Sequence, residues 1–237
     1  VGVVAALRVA IMLLPDGARY WAPAILVLAT INVVYGAFIA LVQKDFKYVI
    51  GFSSVSHMGL VFIGFATLTR EGLTGAGLQM FSHGIMTALF FAVVGMVYDR
   101  AHTRDIRELG GLFRYMPVAM IGFVIGGLVS MGMPGFSGFI AEMPIYMGAW
   151  KTVPVIAIVS AISIVITAAY ILLVVRRVFF GETPVGIKAG LSDISVMDKI
   201  VVVMLSAILI VVGLFPSVLV PWIDAGVRHI LVLTGGA

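Results

Sequence analysis

One acid lies well inside a long apolar stretch: Glu142, at the end of Gly132-Met-Pro-Gly-Phe-Ser-Gly-Phe-Ile-Ala-Glu142. Two histidines are placed in the same way, His57 in Ser53-Ser-Val-Ser-His57 and His83 in Gln79-Met-Phe-Ser-His-Gly-Ile-Met-Thr87. A carboxyl group binds and releases protons, and a neutral imidazole passes a proton between its two nitrogens near physiological pH. Gln79, His83 and Thr87 are four residues apart, so a helix puts them on one face. Amid Leu, Phe and Val, such a polar stripe belongs against protein or water and not lipid. Glu142, His83, His57, Gln79 and Thr87 are therefore the candidate proton pathway. Each histidine has a second reading, an interhelical hydrogen bond that only holds the bundle together. Glu142 has one too, as the partner of a cation elsewhere or as a cap on a half-helix near the interface.

The element that must position Glu142 is itself unusual. Residues 117–149 are too many for one straight helix across about 30 Å of hydrocarbon. They also contain Gly132, Pro134, Gly135 and Gly138, which predict a break in the helix. Backbone groups freed at membrane depth are tolerated only beside protein or a water-filled cavity. Interrupted helices of this kind recur at ion sites of transporters. Other polar residues carry less: Asn32 and Tyr35 are expected to bond between helices, and Ser130 to bond its own backbone. Gly122, Gly126 and Gly127 let helices approach closely.

Composition sets the surroundings. Of 237 residues 62% are hydrophobic and 11% charged, against about 25% charged in an ordinary soluble domain. These residues cannot supply a polar shell, so the lipid bilayer is the first partner. The formal charge of +4 is spread over short connections between apolar runs, which argues against a nucleic-acid surface. With no cysteine in the chain, thiolate metal sites, iron–sulfur clusters and disulfides are excluded. No phosphate-binding loop, dinucleotide fingerprint, HExxH or GxSxG motif is present.

The fold class that follows is all-α, a polytopic transmembrane helix bundle. One partial span at 1–14, read as the tail of a helix begun upstream, precedes six fuller ones at 22–43, 48–68, 75–98, 117–149, 153–175 and 200–222. Residues 15–21 are expected as a connection, 176–199 as a longer one on the cytoplasmic side, and 223–237 as a C-terminal tail. If every segment crosses, Arg19, Arg70, Lys151 and Arg228 lie on one side. Lys44, Lys47, Arg100, Arg104, Arg107, Arg114, Arg176, Arg177, Lys188 and Lys199 lie on the other. Four cations against ten put the second set in the cytoplasm and the C-terminus on the opposite face. Capping patterns at Asp105-Ile-Arg-Glu108, stopped by Gly110-Gly111, and at Ser195-Val-Met-Asp198 organise two of the connections.

Several of these segments, in fixed order, resemble a known family. Lys44-Asp-Phe-Lys-Tyr-Val-Ile-Gly-Phe-Ser-Ser-Val-Ser-His-Met-Gly59, Leu78-Gln-Met-Phe-Ser-His-Gly84, Tyr98-Asp-Arg-Ala-His-Thr-Arg104, Gly110-Gly-Leu112 and the Gly132–Glu142 motif are similar to the antiporter-like subunits of respiratory complex I. Glu142 stands where L-type and N-type subunits usually carry Lys, which favours the M type, subunit 4 of mitochondria. The resemblance implies two inverted five-helix repeats, of which residues 22–175 are the second, and a lysine just before Val1 that feeds protons towards Glu142. It implies a proton half-channel driven by quinone reduction elsewhere in the complex. No cofactor is expected on this chain; flavin, iron–sulfur clusters and quinone belong to other subunits. The implied partners are L-type and N-type membrane subunits, and the implied location is a bacterial plasma membrane. Subunits of membrane-bound hydrogenases and multisubunit Na+/H+ antiporters share these helices, and a fragment that packs without conducting is the alternative of a different class.

Overall fold

A computed structural model describes residues 2–188 and 191–234. The side chain of Lys188 and the end of the expected tail, 235–237, lie outside the described residues. Among the described residues there are helices, short connections and one isolated bridge between Asp45 and Asp105. The helices are α1 (Gly2–Ala5, continued by a π-helix Ala6–Leu13), α2 (Pro15–Val42), α3 (Phe46–Ala66), α4 (Arg70–Ala101), α5 (Pro117–Ser130) and α6 (Ser137–Thr152). Then come α7 (Pro154–Val174, continued by a π-helix Val175–Phe179), α8 (Val185–Lys188), α9 (Val196–Leu214) and α10 (Val220–Thr234). Five of these, α2, α3, α4, α7 with its π extension and α9, are long and apolar enough to cross a bilayer. The stretch 117–149 is two half-length helices, α5 and α6, separated by a break.

Helix starts follow local chemistry. Proline at the first position presets the helical φ of α2, α5 and α7. The Asp45 side chain accepts from the backbone N–H groups of Lys47 and Tyr48 and starts α3, and Thr69 accepts from Gly72 to start α4. Ser195 and Asp198 form the reciprocal capping box at the start of α9. The Asp105 pattern makes a turn and no helix: Asp105 accepts from the Arg107 N–H, while Glu108 accepts from the Thr103 hydroxyl instead of reaching back. Gly111, at φ +65, then donates to the Phe180 carbonyl and ties this turn to the end of α7.

Two boundaries differ from expectation for physical reasons. Residues 15–21 are the first turns of α2, because Pro15 and Asp16 suit a helix N-terminus better than a loop. The segment beyond Pro221 continues as α10, whose Val227, Ile230 and Leu231 are buried at helical spacing against Ile11, Leu73 and Ala76. Among the described residues Asn32 and Tyr35 join no helices. Both are exposed on the outer face of α2, since that helix packs through Ala29, Val33, Gly36 and Ala37 on its other side.

At the centre stands α4, packed against α3, α5, α6, α9 and α10. Its approach to α6 is close: a Cβ on Gly75 would lie 2.7 Å from the Ile145 nitrogen and 2.8 Å from the Ala141 carbonyl oxygen. On α5, Gly122, Gly126 and Gly127 face Val202, Phe90 and Ile171 on three different neighbours. The larger core, built on Phe46, Phe90, Phe123, Phe179 and Tyr170, lies towards the Lys44 and Arg177 end.

Charges gather at the two ends. Arg70 and Arg228 both grip Asp224, and Lys151 pairs with Glu71. At the other end Arg104 pairs with Asp45, Arg100 with Asp198, Arg107 with Asp105 and Lys199 with Asp193. Each of these end pairs draws its cation from one of the two sets that alternate crossing assigns.

Two outcomes follow. Gly75→Val in the full-length subunit should cost about 1–3 kcal/mol by overpacking, seen as earlier loss of the subunit when the intact complex is heated. The Arg70 hydrogen bond, helped by Arg228, holds the Asp224 carboxyl at about 2, below the ordinary value of about 3.9. A carboxyl lowered by folding stabilises above its unfolded value and loses that contribution as pH falls through its folded one. Peptic cleavage within α10 should therefore be slow at pH 4 and rise towards pH 2, whereas Arg70→Gln should expose the same site already at pH 4.

Candidate proton-transfer site

The break between α5 and α6 is built by a recognisable helix stop. The Met133 N–H bonds the Leu128 carbonyl and the Gly132 N–H bonds that of Val129, with Gly132 left-handed at φ +64. This is the Schellman pattern, with Pro134 following where the helix cannot continue. Gly135, at φ +92, turns the chain again, and Phe136 is extended before α6 begins at Ser137. The Ser137 hydroxyl is 2.8 Å from that of Ser82, which pins the restart to α4.

Glu142 lies in the second turn of α6 and is 5% exposed, so it is neither a cap nor a lipid-facing group. Its Oε1 accepts from Gln79 Nε2 at 3.1 Å and is 3.2 Å from His57 Nδ1. The other imidazole nitrogen, Nε2, is 2.9 Å from the Ser130 hydroxyl. One assignment satisfies all three: His57 Nδ1–H and the Gln79 amide donate to the carboxylate, and Ser130 donates to Nε2. The Gln79 carbonyl oxygen is then buried without a partner. With the amide turned over, that oxygen faces the carboxyl and accepts from it when it is protonated. The same groups thus accommodate both charge states of the acid.

His83 is 8% exposed. Its Nε2 is 3.1 Å from the Thr87 hydroxyl, its Nδ1 is buried with no partner, and its ring centroid is 5.4 Å from that of His57. Along α4, Gln79 reaches Glu142, His83 lies beside His57, and Thr87 bonds His83. A cavity of ≈ 10 Å³ borders His57, Ser130, Glu142, Tyr146, Ser163 and Thr167, about the room that one water needs. The imidazole of His57 is the ionisable partner of Glu142, so the pair can share a proton without changing its total charge.

Sequence reasoning missed two contributors. Ser130 was expected to bond its own backbone, but its hydroxyl, at the end of α5, lies 2.9 Å from His57 Nε2 instead. The polar row Ser160, Ser163, Thr167 and Tyr170 on α7 is buried against the site. Its spacing on one face of an otherwise apolar helix was the signal that could have found it.

Comparison with known proteins shows the family of the chain. The family described as NADH:quinone oxidoreductase/Mrp antiporter, transmembrane, matches residues 1–167. The NAD(P)H-quinone oxidoreductase chain 4 of Acaryochloris marina is 36% identical over 231 residues, covering 93% of this chain and 43% of the relative. The NADH-quinone oxidoreductase subunit M of Rhodobacter capsulatus is 34% identical over 225 residues, covering 95% and 44%. The chain thus spans less than half the length of these curated relatives. Respiratory complex I from Thermus thermophilus with bound NADH contains a chain that superposes with a TM-score of 0.92 at 30% identity, over 99% of this chain and 50% of that one. A chain of the Mrp complex from a Dietzia species superposes at 0.88 and 19% identity over 96% and 50%, a likeness of fold alone.

A Cβ on Gly132 would lie 2.9 Å from Glu142 Oε2, and an L-residue there costs about 1–2 kcal/mol for its left-handed backbone. Gly132→Ala should shift the carboxyl stretching band of Glu142 in infrared spectra of the assembled complex. Disappearance of that band in Glu142→Gln identifies it.

Proposed function

The chain belongs to the NADH:quinone oxidoreductase/Mrp antiporter transmembrane family, and from that membership we propose that it is a proton-translocating part of the membrane arm of a quinone oxidoreductase. The observation that carries the proposal is the buried Glu142, held by Gln79 and His57 beside an interrupted helix. Ionisable groups at membrane depth are costly, and they recur on ion and proton routes.

In this proposal protons reach the site along α4, through His83 and Thr87, and pass by way of His57 and the Gln79-supported contact to Glu142. The two imidazole rings lie in contact, 5.4 Å between centroids, and the buried Nδ1 of His83 has no hydrogen-bond partner among the described residues, so transfer between them needs a turn of one ring. From Glu142 the proton leaves towards the end that carries Lys151 and Arg70. A site working against about 100 mV must change its affinity by about 2.3 kcal/mol per charge. Movement of neighbouring charges and of the Gln79 amide supplies such a change. Quinone reduction, with its flavin and iron–sulfur clusters, takes place on other subunits of the complex, and this chain carries no redox centre. The neighbours in the membrane are L-type and N-type subunits. The cation-rich set beginning with Lys44 faces the cytoplasm of a bacterial plasma membrane, in line with the positive-inside bias, and the C-terminus lies outside.

Glu142→Gln in the full-length subunit of the assembled complex tests the reading. Proton pumping by proteoliposomes should fall by about tenfold or more while electron transfer to quinone falls only modestly. Unchanged pumping would mean that the segment packs the membrane arm and conducts nothing.

A further inference from the structure

The middle of α2 turns polar groups outward from the bundle, and among the described residues no other span does so at that depth. From Tyr20 to Val42 the helix carries no charged residue, and Asn32 lies about 2 Å along the axis from the centre of that stretch. Asn32 is exposed, and Tyr35, one turn further along the same face, is 55% exposed. Neither has a hydrogen-bond partner among the described residues. Thr30 on the same helix differs, since its hydroxyl donates to the Leu26 carbonyl. Leu28, Ile31 and Phe38 surround the two polar groups and are exposed with them. On α7 and α9, by contrast, every exposed side chain is apolar, as contact with lipid requires.

Lipid tails offer no hydrogen bonds, so an amide left among them at the bilayer centre is costly. A bond to a polar side chain on a second helix removes that cost. The Asn32 amide presents two N–H donors and a carbonyl acceptor, and the Tyr35 phenol one of each. With no charge anywhere on this stretch, the matching group is neutral. We propose that this face of α2 docks a transmembrane helix from the rest of the full-length subunit, one that carries an asparagine, glutamine, serine or threonine level with Asn32. The chain covers 43% and 44% of its relatives, so more than half of a subunit of their length lies beyond it. A helix on the same polypeptide is held near α2 at high effective concentration. Leu28, Ile31 and Phe38 form the apolar rim that closes around the polar contact.

The docking does not depend on Glu142 carrying protons, and its test reads neither pumping nor electron transfer. The full-length subunit, in the assembled complex, receives a photo-crosslinking amino acid in place of Leu28, one turn before Asn32. Illumination should join α2 to a peptide of the same subunit from beyond these 237 residues, within about one turn of a neutral polar side chain. Cross-links confined to another subunit or to this chain, or reaching lipid alone, would overturn the proposal. Asn32→Leu should speed loss of the subunit from the heated complex about threefold. Asn32→Gln, which keeps an amide, should reverse most of that change. Unchanged or slower loss in Asn32→Leu is the behaviour of a lipid-facing residue and would overturn the docking as well. Should Asn32→Leu fail to assemble, the cross-link still decides, because it is made with Asn32 in place.

Discussion

A carboxyl group at membrane depth costs several kcal/mol in either charge state unless polar partners meet it, and the bundle is arranged around meeting that cost for Glu142. Three helices contribute. The break between α5 and α6 leaves Ser130 at one helix end and sets Glu142 two turns into the next. Gly75 brings α4 close enough to α6 for the Gln79 amide to reach the acid. On α3, Gly59 packs against the Ala29 carbonyl of α2, and His57, about half a turn away, is held between Ser130 and Glu142. Small residues at helix contacts are therefore part of the electrostatics. Were α4 and α6 an ångström further apart, the carboxyl would lose its amide donor and the arrangement would no longer be affordable.

The ends of the bundle solve a different problem with different residues. Charged side chains there are half-exposed and paired, and pairs of that kind contribute little to stability. Their value lies in docking irregular segments. The Arg70–Asp224–Arg228 clasp fastens α10 across the start of α4, and the Asp45–Asp105 bridge with Arg104 fastens the connection after α4 to the start of α3. Both act on helices whose middles carry the polar site. The fixed ends thus limit how far α3 and α4 can slide, while the break leaves α5 and α6 free to adjust at the centre.

Much of this was legible in the sequence, for identifiable reasons. The acid, the two histidines and the four-residue spacing of Gln79, His83 and Thr87 stand out because their neighbours are so apolar. The break is legible because proline and glycine act locally. Hydroxyl partners were harder: serine and threonine are common in transmembrane helices and usually bond their own backbone, as Thr30 does with Leu26 and Thr152 with Gly148. Only the fold reveals that Ser130 bonds His57 instead and that Tyr170 meets Ser53 across 117 residues of sequence. The helix α10 was hidden by a search for long apolar runs, which a short amphipathic helix with Asp224 and Arg228 on its wet face does not satisfy. Asn32 and Tyr35 lie on the exposed face of α2, where any helix they bond lies outside the described residues.

The position of His57 also says where control is exerted. Its two nitrogens are engaged by groups on opposite sides of the break, Nε2 by Ser130 at the end of α5 and Nδ1 by Glu142 in α6. Once a proton has passed, the imidazole holds it on the wrong nitrogen. Serine and tyrosine hydroxyls reset by simple rotation, but His57 must turn its ring or exchange through water, and close packing opposes both. The cavity beside it offers room for about one water. The two bonds therefore tie the ring to both half-helices. In the proposed function the reset of His57 is thus the demanding step, and the break from Gly132 to Phe136 lies between the helices that hold its two sides.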